Sequence, residues 1–216
     1  MNKAMPSPKR LAHFEELVTH DRQFSGFGVS LAGMDEVGRG PLLGPVVTAC
    51  VIMPPQPLLP WIDDSKKLSA ARREEVFEEI CRCAMFIGVG EASAAEIDEM
   101  NILGATRMAM ERAAEKAPAT LCLVDAVQGL RLPFPTKPIL HGDSLSYHIA
   151  AASIVAKVIR DRMMAKMDAL YPGYGLGRNM GYGTAEHIRA IAAFGPTPMH
   201  RRTFIGKFLR ERRSDP

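Results

Sequence analysis

The chain is poor in cysteine, and the few it has form no chemical motif. Its 216 residues contain four, Cys50, Cys81, Cys83 and Cys122. Cys81 and Cys83 are one residue apart, not the two of a zinc or redox pair, and no second pair completes a site. Cys50 and Cys122 lie in apolar, strand-like runs, where a thiol behaves as a small core residue. No disulfide is expected, which points to a reducing compartment. Long apolar runs are missing too. None approaches the ~20 residues of a membrane span. Met1 to Arg10 has no apolar stretch that could serve as a signal peptide. These absences argue against a membrane protein and a disulfide-built secreted module, and a cytoplasmic protein is expected. Net charge is also low, at +3, too little to imply an anionic partner by itself.

What charge there is lies unevenly. Residues 200–216 carry six Lys/Arg (Arg201, Arg202, Lys207, Arg210, Arg212, Arg213) and two acids (Glu211, Asp215). That net of +4, against +3 for the whole, leaves the rest at −1. A basic C-terminal segment on a near-neutral body suits an anionic polymer, and equally a solvated helix face. At 47% hydrophobic and 24% charged, the composition is that of an ordinary globular protein. The length allows one domain with a substantial core.

Residues 1–9 read as a loose leader. Leu11 to Phe24 has the apolar spacing of a helix. Val29 to Met34 reads as a strand ending at Asp35-Glu36, and Val46 to Met53 as a buried second strand. Ser69 is the expected N-cap of a helix from Ala70 to about Cys83. Met85 to Val89 is a third strand. Ala94 to Lys116 is a long helix whose expected buried positions are Ile97, Met100, Leu103, Met108 and Met110. Thr120 to Val124 is a strand ending on Asp125, and Lys137 to His141 a fifth. From Ser146 a helix runs to about Leu170, with an apolar stripe at Ile149, Ala152, Ala156, Ile159, Met163, Met167 and Leu170. Tyr171 to Gly183 is a glycine-rich loop, and Ala185 to Phe194 a short helix. This order of elements predicts an α/β sheet with helices on its faces.

Acids recur where strands end or helices begin: Asp35-Glu36, Asp125 and Asp143. Any one of them could be a turn residue or a cap. If the strands are neighbours, however, four carboxylates meet. Gathered like charges repel and raise one another's pKa unless cations lie between them. All-oxygen ligation suits Mg²⁺ or Mn²⁺, and two such ions ~4 Å apart serve in-line phosphodiester cleavage. Asp35 and Glu36 share a site only if the strand ends or distorts there, because successive residues point to opposite faces.

The run Asp35-Glu36-Val37-Gly38-Arg39-Gly40-Pro41-Leu42-x-Gly44-Pro45-Val46 closely resembles the signature of bacterial ribonuclease HII. The resemblance continues in Asp64-Ser65-Lys66-Lys67-Leu68-Ser69, Val124-Asp125-Ala126 and Gly142-Asp143-Ser144. It then runs through Ile149 to Asp161, Gly181-Tyr182-Gly183-Thr184 with His187, and His200-Arg201-Arg202-Thr203-Phe204. It implies a ribonuclease H-like fold: a mixed five-stranded sheet with helices around it and a small helical C-terminal part. The expected organisation is a leader and helix (1–28), a catalytic domain (29–170), and a C-terminal part (171–216) packed on it.

The same resemblance implies a metal-dependent endonuclease acting on RNA–DNA hybrids and on duplex DNA with embedded ribonucleotides. It cuts the RNA strand, or nicks 5′ of the ribonucleotide, leaving 5′-phosphate and 3′-hydroxyl ends. The catalytic and metal-binding acids carry over to Asp35, Glu36, Asp125 and Asp143. Recognition of the 2′-hydroxyl carries over to Gly38, Arg39, Gly40 and Tyr182. Ser65, Lys66, Lys67, Arg201 and Arg202 are expected to hold backbone phosphates. The residue before Gly142 is often lysine in relatives and is His141 here; a catalytic base and a structural or surface residue both remain open for it. A monomer is expected.

Three other readings compete with this one. Gly142-Asp143-Ser144-Leu145 spells the motif of GDSL-type serine esterases, but it stands mid-chain and no Asp-x-x-His follows. A non-catalytic nucleic-acid-binding module explains the basic tail but not four strand-end acids. Ribonuclease HIII usually carries an additional N-terminal domain, for which there is no room before Asp35.

Overall fold

Helix and strand positions follow from caps, glycines and alternation. The computed structural model describes residues 6–26 and 28–210, with the side chain of Arg210 excepted. Arg212 and Arg213 of the expected basic tail lie outside the described residues. The elements are α1 (Pro8–Arg22), β1 (Leu31–Val37), β2 (Val46–Ile52), α2 (Ala70–Cys83), β3 (Phe86–Ala92), α3 (Ala94–Ala114) and β4 (Leu121–Asp125). They continue with β5 (Thr136–Ile139), α4 (Tyr147–Leu170), α5 (Leu176–Asn179), α6 (Ala185–Phe194) and α7 (Arg202–Arg210). Single 3₁₀ turns stand at Ser65–Lys67 and Gly142–Ser144.

The five strands form one mixed sheet in the order β3-β2-β1-β4-β5. β1 runs antiparallel to β2 and parallel to β4. Alternation along β2 supplies both faces: Ala49 and Val51 pack with α1, α2 and α4, while Cys50 and Ile52 pack with α3. Helix α4 lies directly on β1. A Cβ at Gly33 would stand 2.1 Å from the carbonyl carbon of His148, so only glycine allows this approach. A third apolar cluster joins Leu42, Leu43 and Met164 to Tyr174, Leu176, Ile191 and Ile205, packing the C-terminal helices on the loop after β1.

Several elements depart from expectation. The first helix starts at Pro8, because Ser7 caps it and proline suits the first turn. α3 is broken at Asn101 (φ 64°, ψ 168°), whose side chain accepts from the N–H groups of Leu103 and Gly104 and so caps a second helical segment. The break shifts the phase and leaves Leu103 40% exposed. The first half of α4 has no stripe: Ile149 to Ala156 is buried all round, whereas Leu170 is 72% exposed. The loop after α4 contains the short helix α5. Finally, Asp35 and Glu36 lie within β1, not beyond its end.

Candidate active site

Each of the four acids is delivered by a different local device. Asp35 sits in β1 opposite Ala49, and Glu36 opposite Thr48. The ladder between β1 and β4 stops at Met34 and Val124. Past that point β1 has no β4 partner, and the N–H of Glu36 donates 2.7 Å to Oδ1 of Asp35 itself. With no β4 backbone alongside, both carboxylates feel the charge of Asp125, which raises each of them.

Asp125 ends β4, and its Oδ1 accepts from the N–H of Gly142 at 2.7 Å. This bond ties β4 to the 3₁₀ turn that carries Asp143. Asp143 does not cap α4; Ser146 does, accepting from the N–H of Ile149. The Asp143 carboxylate therefore remains free of the helix and meets the Lys66 ammonium, 2.9 Å from its Oδ2.

The electrostatics show the acids crowding one another. Burial pushes the Asp35 carboxyl well above the usual range, and the charges of Glu36 and Asp125 add to it. Burial also raises Glu36, against the Arg39 guanidinium, which lies 3.2 Å from Oε1. Asp125 is raised by burial, opposed by the Gly142 N–H, and raised further by Asp143. The other Glu36 oxygen, Oε2, is buried and has no hydrogen-bond partner. An orphaned carboxylate oxygen among three further carboxylates is costly unless a cation completes it. Among the described residues no three His, Cys, Asp or Glu side chains stand close enough together to hold a metal ion as they are. The acids are gathered, with one oxygen each on Asp35, Glu36 and Asp125 held by a protein donor. This donor set, all oxygen and short of positive charge, fits a hard divalent ion.

The residues expected to recognise the 2′-hydroxyl lie beside this cluster. Tyr182 is 47% exposed, and its ring borders Gly40, where a Cβ would stand 3.5 Å from Cε1. Of the expected phosphate contacts, Lys66, Lys67 and Arg202 are at the surface. Ser65 and Arg201 are not: both are buried. Ser65 Oγ is engaged 2.9 Å from Ser153 Oγ, and the Arg201 guanidinium is bonded to three main-chain carbonyls. Neither side chain is placed to grip a phosphate from outside. His141 is exposed, with left-handed backbone, and its charge tends to hold Asp125 down. Among the described residues no imidazole bonds the Ser144 hydroxyl, as an esterase nucleophile needs; its partner is Asp143.

Arg160, Ser153 and the buried pair His187 and His200 lie in the blocks that carry the resemblance, but the sequence alone assigns them no role. For the first, the available signal was a charged residue directly after the small and apolar run Ile149 to Ile159, whose one other charge is Lys157.

A family model described as Ribonuclease HII matches residues 32–207. The chain belongs to the ribonuclease HII family. It is 51% identical over 194 residues to the ribonuclease HII of Geobacillus kaustophilus, covering 88% of this chain and 74% of the relative. The solved ribonuclease H2 of Pyrococcus horikoshii OT3 superposes with a TM-score of 0.73 at 23% identity, covering 86% of this chain and 99% of that one. Bst ribonuclease HIII, solved in complex with Mn²⁺, gives 0.67 at 17% identity, covering 100% and 77%. The likeness to both structures shows the fold, with its mixed five-stranded sheet. Ribonucleases HII are type 2 ribonucleases H, metal-dependent endoribonucleases, and family membership makes this chain one of them. Among the described residues, no helix is long and apolar enough to cross a membrane.

Proposed function

We propose that the protein cleaves the RNA strand of RNA–DNA hybrids and nicks duplex DNA on the 5′ side of an embedded ribonucleotide. Asp35, Glu36, Asp125 and Asp143 would hold two divalent ions, Mg²⁺ or Mn²⁺. The observation that carries this is the orphaned Oε2 of Glu36 beside Asp35 and Asp125, all three carboxyls being raised by burial and by neighbouring carboxylates. When bound, such ions lower the pKa of an attacking water and stabilise the leaving 3′ oxygen, which gives 5′-phosphate and 3′-hydroxyl products.

The chain's own residues select the cut. Tyr182 offers a half-exposed ring to a sugar and a phenol to its hydroxyl. The Gly38-Arg39-Gly40 backbone lies beside it, and only RNA carries the 2′-hydroxyl that separates the two sugars. Lys66, Lys67 and Arg202 would hold backbone phosphates, so affinity falls as salt rises. We place the enzyme in the cytoplasm as a monomer; the four free thiols suit a reducing compartment.

The test is a labelled DNA duplex containing one ribonucleotide, incubated with Mg²⁺, Mn²⁺ or chelator. The expected product is one nick 5′ of the ribonucleotide, only with metal. Binding without cutting, or cutting in chelator, would overturn the reading.

A further inference from the structure

Two fully buried arginines stand behind the loop that follows β1, and the reading above uses neither. Arg160, on α4, donates from Nε to Pro45 O at 3.1 Å, from Nη1 to Met180 O at 3.1 Å and from Nη2 to Leu43 O at 3.3 Å. Arg201 donates from Nε to Gly44 O at 2.9 Å, from Nη1 to Arg39 O at 2.8 Å and from Nη2 to Gly38 O at 2.6 Å. Burial pulls both guanidinium groups down, and the charge of Arg160 helps bring Arg201 to about 9. Placing two cations side by side in the interior is costly. What a guanidinium offers in return is a planar fork of donors that fixes three carbonyls at once.

The direction of those carbonyls has a consequence. Across a trans peptide, the C=O of one residue and the N–H of the next point opposite ways. Gly38 O and Arg39 O are turned inward onto Arg201, so the N–H groups of Arg39 and Gly40 are turned outward. Neither has an acceptor among the described residues. Gly38 has φ +92°, and a Cβ there would stand 2.2 Å from Nε of Arg160, so loop and clamp fit only with glycine. The ring of Tyr182 borders Gly40 on the outer side.

We propose that Arg201, with Arg160 beside it, is a positioning residue for ribose recognition. It locks the loop carbonyls inward so that the Arg39 and Gly40 N–H groups face the substrate as a fixed pair of donors for the ribonucleotide's 2′-hydroxyl oxygen. The inference rests on the proposed cleavage at ribonucleotides, and it gives Arg201 an indirect role in place of a phosphate contact.

Two measurements test it. The first uses Arg201→Lys and Arg201→Met with the single-ribonucleotide duplex under single-turnover conditions. The expected result is a rate at least tenfold lower, with Mn²⁺ affinity by calorimetry and duplex affinity within twofold of wild type. A merely structural residue would move all three together. A folded Arg201→Lys protein with the wild-type rate overturns the proposal, and so does parallel loss of all three.

The second uses the wild-type protein, so a variant that fails to fold does not block it. Amide exchange should show the Arg39 and Gly40 N–H groups unprotected in the free protein. In chelator, a ribonucleotide-containing duplex should slow their exchange and an all-DNA duplex should not. Protection in the free protein, or equal slowing by both duplexes, overturns the proposal. If wild type with metal leaves the duplex intact, the cleavage reading is what fails, and the free-protein exchange still reports whether the clamp turns the N–H groups outward.

Discussion

The ammonium of Lys66 lies 2.9 Å from Oδ2 of Asp143. This pair brings the one lysine of the Ser65–Lys67 turn that reaches the acid cluster onto its fourth member. The Lys66 side chain is 76% exposed, so the pair contributes no more than about 1 kcal/mol. Its larger effect is on charge balance. In Lys66→Met the metal-free acids keep Arg39 but lose a second nearby cation, and a divalent ion then relieves more repulsion. The rise in melting temperature on adding Mg²⁺ should therefore exceed that of wild type. A smaller or unchanged rise would show that Lys66 does not stand in for metal charge.

Asp35→Asn should separate stability from activity. The wild-type carboxyl is raised by burial and by its neighbours, so the folded state holds that proton more tightly than the unfolded chain. Its contribution to stability is present at low pH. It is lost as pH rises from the ordinary carboxylate value, ~4, through the raised folded one. Melting in chelator at pH 7 should find Asp35→Asn more stable than wild type, with cleavage down about 10³-fold or more. A less stable metal-free variant would contradict the crowding of charge.

Tyr182 is half exposed, so replacing it should change stability by only ~0.5 kcal/mol. Tyr182→Ala should slow incision at a single embedded ribonucleotide by about tenfold or more, ~1.4 kcal/mol of barrier, and slow cleavage of a long hybrid less. Tyr182→Phe tells the ring from the hydroxyl. Equal slowing on both substrates would reject a role in recognising an isolated ribose.

His187 and His200 form a buried pair with one consistent proton arrangement. His187 Nδ1–H donates to Tyr182 O at 2.9 Å, leaving Nε2 to accept from Nε2–H of His200 at 3.1 Å. His200 Nδ1 accepts from the Thr197 N–H at 2.9 Å. Both rings are thus neutral, and burial with the neighbouring imidazole brings His200 down to about 4. Because the folded value lies below the unfolded one, the stability is present above pH ~6.5 and is lost as pH falls towards 4, by roughly 2–3 kcal/mol. Urea unfolding between pH 7 and 4 in the Asp35→Asn background, which removes the most strongly raised of the opposing carboxyls, should show this fall, and His200→Gln should flatten it. An equal slope in both would place the proton uptake elsewhere.

Elements with a local signal were legible in the sequence. Ser69 marks the start of α2 by accepting from the Arg72 N–H, and Thr184 does the same for α6. The acid set was legible because apolar runs end on Asp125 and lead towards Asp143. Features set by packing between distant segments were not. The break at Asn101 and the all-round burial of α4 depend on what covers each helix. Arg201 read as part of a basic tail, yet its neighbours in space are Gly38, Arg39 and Gly44. Sequence distance hides that contact, and charge alone suggested the opposite orientation.

Crystals soaked in Mn²⁺ would show whether the four carboxylates hold divalent ions. Anomalous scattering should place manganese among Asp35, Glu36, Asp125 and Asp143, with Oε2 of Glu36 among the ligands, and Asp35→Asn should weaken or abolish the peaks. Manganese bound only elsewhere, or no peak at millimolar Mn²⁺, would rule out a metal site at these four acids.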